Sequence, residues 1–280
     1  MKKNRPAAAL PLRAMLNLPG VRRRLAFAIK QDYFEELHLR MPLEPGLVAP
    51  LDHWDAFIAF SETFLGNEYG DLFQRIPLPN RWLDFGCHRG YFSLWVAWEK
   101  AKRDQREANH ALLIDADPRA ADWFKNLLEC NPSLREFLFL QAAVATPESG
   151  DQVTFAQREG MNSLHPGDMP VECEDVITVP RLRAENITQL LAPPYDLIKV
   201  DIEGAEFTLL ETMGDLLAQA RYLVIEWHGW NDGGAAAEAR VTKAAAQIGF
   251  GEPVKLRPNL VTGSEKSTFV SGTHLYQRRS

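Results

Sequence analysis

The sequence predicts an α/β fold with a mostly parallel sheet covered by helices on both faces. Three observations predict it. From residue 81 onward, short apolar runs alternate with helical stretches, several of those runs end on an acid, and a glycine-rich turn joins the first run to the first helix. The runs are Arg81–Asp84, Ala111–Ile114 ending at Asp115, Tyr195–Val200 ending at Asp201, and Tyr222–Glu226. Right-handed crossovers put the C-terminal ends of parallel strands on one edge of the sheet, where ligands of such folds bind. Asp84, Asp115, Asp201 and Glu226 are therefore expected together along that edge.

The other elements follow in order. Helices are expected over Phe92–Arg103, Pro118–Cys130, Ala205–Ala218 and Ala235–Ile248, the last closed by Gly249. Phe137–Ala142 reads as a third strand, and Pro253–Leu256 and Thr268–Tyr276 as the final ones. Between residues 143 and 194, Val153-Thr154-Phe155 and Val176–Val179 suit a hairpin. The loop Gly160–Leu164 between them is placed to cover the ligand edge, with His165 beside it. Residues 1–78 carry helical patterns without a strong strand, and Trp54, Phe57, Ile58 and Phe64 recur at roughly helical spacing. Pro77 and Pro79 then punctuate the chain. The expected division is a helical extension over 1–78 and a main domain over 79–280.

Composition narrows the class. A chain of 280 residues with 46% hydrophobic and 24% charged residues buries a sizeable core and is too apolar for disorder. A net charge of −6 argues against a general nucleic-acid binder. Cys87, Cys130 and Cys173 are scattered, which supports neither a disulfide framework nor a zinc site and makes the cytoplasm the simplest compartment. The N-terminus is basic up to Asp32, but Pro11 and Arg13 interrupt its one apolar stretch. No run approaches a transmembrane span, which takes about 18 apolar residues. Weak peripheral contact with an acidic membrane surface is the most that this start suggests, and the sequence carries no sign of oligomeric state.

Asp84-Phe85-Gly86-Cys87-His88-Arg89-Gly90 is the expected cofactor turn. Gly86 and Gly90 allow close backbone approach, and the helix that follows offers its N-terminus to a carboxylate. A dinucleotide fingerprint has glycine where Asp84 stands. An acid there suits a ligand with an ammonium group, and S-adenosylmethionine has both an ammonium and a carboxylate. Asp115 is positioned to accept two ribose hydroxyls. Asp117 either helps or caps the helix beginning at Pro118. Cys87, His88, Phe92, Ala116 and Ala143 complete the expected cofactor set.

With these residues in place, the chain resembles the FkbM-type methyltransferases from about Arg81 to Tyr276. The string Asp196-Leu197-Ile198-Lys199-Val200-Asp201-Ile202-Glu203-Gly204-Ala205-Glu206 is similar to that family's hallmark motif almost residue for residue. Trp82–Ser93 resembles its glycine-rich motif, Asp115-Ala116-Asp117-Pro118 its ribose turn, and Leu223–His228 its fifth strand. The resemblance implies a class I, Rossmann-like fold with a seven-stranded sheet and one antiparallel strand. It also implies methyl transfer from S-adenosylmethionine, usually to oxygen, on sugars, glycans or natural products. The chain departs from the family at Cys87-His88-Arg89, where small and amide residues are usual. It departs again at Arg183, where an acid is common, and across its first 80 residues.

Transfer to a hydroxyl needs in-line placement and removal of a proton. Asp201 is the first choice of base and Glu203 the next. Lys199 shares Asp201's side of the strand and pairs with either acid. His228 is a further candidate base near neutral pH. Asp201, Glu226 and His228 are also of the types that hold Mg²⁺ or a similar divalent metal, although their spacing does not demand one. Trp95, Trp98, Trp227 and Trp230 read as packing. Two other functions stand beside this one: a nicotinamide-dependent oxidoreductase, which Asp84 disfavours, and a non-catalytic S-adenosylmethionine-binding module acting through the N-terminal helices.

Overall fold

The computed structural model describes residues 37–66, 68–105, 107, 109–157, 175–230, 234–264 and 267–279. The basic start, the loop Gly160–Leu164, His165 and Cys173 lie outside the described residues.

The central sheet is built from β3 (Arg81–Phe85), β4 (His110–Asp115), β5 (Leu138–Gln141), β8 (Tyr195–Val200), β9 (Ala220–Trp230), β10 (Val254–Lys255) and β12 (Ser267–Gln277). Its order is β10-β12-β9-β8-β3-β4-β5. The run from β9 to β5 is parallel, and β12 enters antiparallel beside β9. That order is the Rossmann-like arrangement that the sequence predicts. An eighth strand, β11 (Leu260–Ser264), pairs with β12 off this path and has no counterpart in the sequence reading.

Alternation along the strands explains why both faces are covered. Trp82, Leu113, Leu197 and Val224 enter one core. Their neighbours Leu83, Leu112, Ile198 and Leu223 enter the other. Two helices, α3 (Tyr91–Lys102) and α4 (Arg119–Cys130), contribute to the first core. The second core receives α5 (Ala184–Leu190), α6 (Glu206–Thr212), α7 (Gly214–Leu217) and α8 (Gly234–Ile248). The helix expected over Ala205–Ala218 is thus two pieces, broken at Met213. The hairpin in the long crossover is present as β6 (Gln152–Gln157) and β7 (Asp175–Pro180).

The N-terminal region corrects the expectation of helix alone. Its described part holds an antiparallel hairpin of β1 (Leu39–Leu43) and β2 (Leu47–Leu51), followed by α1 (Trp54–Phe60), a π-turn over Ser61–Leu65 and the single turn α2 (Leu72–Arg75). Pro42, Pro45 and Pro50 read as breakers in the sequence, but a two-stranded ribbon consists of edges, where proline is tolerated. The Asn131 amide at the end of α4 bonds both the N–H and the carbonyl of Val48 at 2.8 Å, docking the ribbon. Leu43, Leu47, Ala49, Phe60 and Tyr69 join the same core as Trp82 and Leu94, so packing is continuous across Pro77 and Pro79. Among the described residues, no helix is long and apolar enough to cross a membrane.

Candidate active site

A cavity of about 440 Å³ opens at the C-terminal ends of the parallel strands. One half is walled by the turn after β3, the end of β4 and Ala142–Val144. The other half is walled by the turn after β8, the outer part of β9, Arg257 and β12. α1 and the residues after it close the side between them, through Asp55, Ile58, Glu62 and Glu68.

The first half begins at Gly86, which has φ +68°. A Cβ there would lie 1.6 Å from the carbonyl oxygen of Asp201, so only glycine lets the ends of β3 and β8 approach this closely. Gly90, at φ +73°, starts α3 where a Cβ would press on Leu113 and Leu127, and it shapes the turn without lining the cavity. Gly86, Cys87, His88, Phe92, Asp115, Ala116, Asp117 and Ala143 do line it. Asp115 Oδ2 accepts the His88 N–H at 2.7 Å and Oδ1 the Asp117 N–H at 2.9 Å. Burial raises the Asp115 pKa against those two hydrogen bonds. Asp117 grips the Arg119 side chain and accepts the Arg119 N–H at 2.9 Å, as a residue ordering the first turn of α4 does.

Asp84 takes a different place from the one expected. Its side chain is 0% exposed and does not line the cavity. Ser93 donates to it at 2.8 Å and Lys199 Nζ lies 3.4 Å away. Burial raises the Asp84 pKa, with Lys199 and Ser93 opposing. Arg89 lines the cavity, but its guanidinium is engaged by the N-terminal region and α4. It pairs with Asp52 and, at 2.7 Å, with Asp55, while its guanidinium lies 4.2 Å over the Trp123 ring. Burial would raise Asp55, but the His88 hydrogen bond and the charges of Arg89, His88 and His53 hold it well below the usual carboxylate range. The unusual Cys87-His88-Arg89 is therefore where the N-terminal region fastens to the turn.

The second half is rich in charge. Lys199 Nζ donates to the Gly86 carbonyl at 2.8 Å and stands 3.5 Å from Asp201. Burial would lower the Lys199 pKa, yet Asp201 and Asp84 outweigh it and raise it. Glu203 has φ +52°, and its side chain lines the cavity and is 39% exposed. Desolvation by the walls, together with Asp201, Glu206 and Glu226, pushes its carboxyl up to about 7 against the pull of His228. Across the cavity, Arg257 pairs with Glu226 and, at 3.2 Å, with Glu68. Burial pushes Glu68 up to about 8 and also raises Glu226.

His228 is buried, with Nδ1 2.9 Å from Glu206 Oε1 and Nε2 3.9 Å from both Glu203 and Glu226. Burial would lower its pKa, but Glu206, Glu203 and Asp201 push it up to about 10. It is therefore an imidazolium at neutral pH, which removes the free lone pair that a base needs. Asp201, Glu203 and His228 bring ligand-type atoms within 4.8 Å of one another. Glu226, expected as a partner of Asp201 and His228, turns instead to Arg257.

The description "Methyltransferase FkbM domain" matches residues 84–250, more than half of the chain. The chain belongs to the FkbM methyltransferase family. No curated protein matches it. Solved structures similar to it include cofactor-bound Rv0187 from MTB, at 13% identity and TM-score 0.45 over 97% of this chain and 96% of that one. M. jannaschii TYW2 in complex with AdoMet matches at 14% identity and TM-score 0.41, with 84% of each chain covered. An O-methyltransferase from Bacillus cereus in complex with SAH matches at 14% identity and TM-score 0.42, over 76% and 80%.

Within the FkbM motif of this chain, the acids divide their work. Asp196 accepts the N–H groups of Asn80 and Arg81 at 2.8 and 3.0 Å and so anchors the start of β3. Asp201 and Glu203 face the cavity, and Glu206 is sealed beneath it. The sequence reading singled out Lys199, Asp201, Glu203, Glu226 and His228, and the fold brings all of them together. It missed Glu68 and Arg257, which come from distant segments without a motif, and Glu206, which was visible in the hallmark string but had no assigned partner.

Proposed function

We propose that this FkbM protein is an S-adenosylmethionine-dependent O-methyltransferase acting on a hydroxyl of a sugar, glycan or natural-product acceptor. The observation that carries the reading is one continuous cavity with Asp115 at one end and Glu203 at the other. The residues of the first half fit the cofactor. Each Asp115 oxygen accepts one backbone N–H, from His88 or Asp117, and keeps lone-pair capacity for ribose hydroxyls. Ile114, Ala116 and Ala142–Val144 form a small apolar slot beside it, the size of wall that a flat base packs against. When bound, S-adenosylmethionine supplies a methyl group on a cationic sulfur.

The chain's own residues supply position and proton removal. Lys199 stands 3.5 Å from Asp201 and engages it as an ion pair, so the role first assigned to Asp201 passes to Glu203. Glu203 titrates near neutrality and reaches the cavity, which suits it to take the acceptor's proton on Oε. Such a base contributes about 10²–10⁴-fold. His228, protonated, balances Glu203 while that carboxylate waits ionised.

Calorimetric titration with S-adenosylmethionine and with NAD tests the cofactor. Labelled methyl transfer to a panel of neutral sugars, glycans and polyols tests the reaction. Glu203→Gln should lower turnover at least about 10²-fold with cofactor affinity kept. Heat with NAD alone sinks the reading, and cofactor binding without transfer to any hydroxyl leaves a binding module.

A further inference from the structure

Glu206 is 0% exposed and does not line the cavity, yet it touches the parts that do. Its Oε1 accepts the N–H of Ile202 at 3.2 Å and that of Gly204 at 3.0 Å, and its Oε2 lies 3.1 Å from the same Gly204 nitrogen. These two residues alternate with Asp201 and Glu203, so one carboxylate grips the turn that presents both acids. The turn needs gripping, since Glu203 and Gly204 both have left-handed backbones, at φ +52° and +101°. The same Oε1 binds His228 Nδ1 at 2.9 Å, which leaves Nε2 facing Glu203 and Glu226. Phe269 stacks on the His228 ring at 5.5 Å and fixes its plane.

We propose that Glu206 is a positioning residue that sets both the Asp201–Gly204 turn and the His228 ring, so that an imidazolium stands beside the acid that takes the acceptor's proton. The inference deepens the proposed O-methyl transfer and rests on it for its kinetic consequence. The groups facing His228 are Glu206 from α6, Asp201 and Glu203 from the turn, and Glu226 on β9 with Arg257 paired to it. Among them Glu206 hydrogen-bonds the ring, while the other two carboxylates within ion-pair reach are 3.9 Å away. Removing its charge is therefore expected to leave the ring neutral.

Nuclear magnetic resonance of the full chain with ¹⁵N-labelled histidine reads this directly, without cofactor or acceptor. His228 is assigned by the signal lost in His228→Asn. In the wild type both ring nitrogens should be protonated at pH 7.5. In Glu206→Gln the ring should become neutral at that pH and titrate near an ordinary histidine. Turnover in Glu206→Gln should fall at least tenfold, with the acceptor KM and S-adenosylmethionine Kd within threefold of wild type. A neutral His228 in the wild type, or one unchanged in Glu206→Gln, overturns the proposal. Equal loss of cofactor affinity and turnover also overturns it, because the residue would then be merely structural. Should Glu206→Gln fail to fold, His228→Asn keeps a donor for Glu206 while removing the cation. The acid limb of its kcat profile must then move to higher pH, and an unmoved limb overturns the proposal. Failure of S-adenosylmethionine to bind would sink the proposed function while leaving the resonance result standing.

Discussion

Asp84 and Lys199 face each other across the β3–β8 ladder, and their side chains meet at 3.4 Å in a part of the sheet closed to solvent. Both are buried, and Lys199 also donates to the Gly86 carbonyl. Lys199→Met leaves Asp84 without its cation and should destabilise the fold by about 3–5 kcal/mol. Adding Asp84→Asn should restore part of that loss. A denaturant double-mutant cycle checks it, and strictly additive losses would show that the pair is not coupled.

Gly86→Ala should cost about 2–5 kcal/mol, from a left-handed backbone and overpacking against Asp201. The same change pushes β3 from β8, so cofactor binding should be lost along with stability. Thermal unfolding and calorimetry on one preparation measure both effects.

Arg89 joins the turn after β3 to Asp52 and Asp55 at the entry to α1. Asp55→Ala should destabilise by about 3 kcal/mol or more, because Arg89 is buried and loses a partner. Cofactor affinity should weaken too, since His88 lies 3.5 Å from the same carboxylate. An unchanged Kd for S-adenosylmethionine would mean that the N-terminal region does not steady this turn.

Asp115→Asn halves the accepting capacity at the corner of the cavity but keeps one oxygen for a backbone N–H. Loss of charge-assisted hydrogen bonds, at about 1.5–3 kcal/mol each, should weaken S-adenosylmethionine and its demethylated product alike by at least about tenfold. Calorimetry with both compounds checks this, and selective loss of one would place Asp115 near the sulfur instead of the ribose.

Glu203 and Glu68 are raised to about 7 and about 8 from an ordinary 4.5. Between about 4.5 and those values the folded chain holds protons that the unfolded chain has released, so stability falls as pH rises. His228 acts in the same direction, because its contribution is complete below 6.5 and is lost as pH climbs to about 10. The melting temperature should therefore decline from pH 5 to 10, and Glu203→Gln should flatten the portion below pH 7. Turnover should rise with ionisation of Glu203 over that same portion. A melting temperature that rises from pH 5 to 7 in the wild type would contradict the raised acids.

The sheet was legible because its strands are apolar on both faces. In Tyr195–Val200 the signal comes from Leu197 on one face and Ile198 and Val200 on the other, despite Asp196 and Lys199 between them, and β8 has those bounds. The hairpin β1–β2 was hidden because its signal is one-sided. Only Leu43 of β1 is buried, and two prolines, Pro42 and Pro50, sit where a ladder is normally continuous. At the site, Asp115 and Asp201 are legible from strand ends and Glu203 from its place just after β8, since those positions fix which edge a residue occupies, and all three line the cavity. Asp84 was misplaced by one structural layer, because its partner is set by the register of β3 against β8, which a single strand does not reveal. Glu68 and Arg257 meet only after β9 and β12 are in place, so their pairing has no local signature.

The late, reversed insertion of β12 has a consequence for biosynthesis. During translation, β3, β4, β5 and β8 can pair in sequence, yet Phe269 and Ser271 reach the cavity only after β12 has slid in beside β9. Asp55 at the opposite side comes from a far earlier segment of the chain. Such distant pairings are slow to form. Until β12 pairs with β9 the cavity lacks one of its walls, and that half-built pocket is the kind of exposed surface that a chaperone would have to shield.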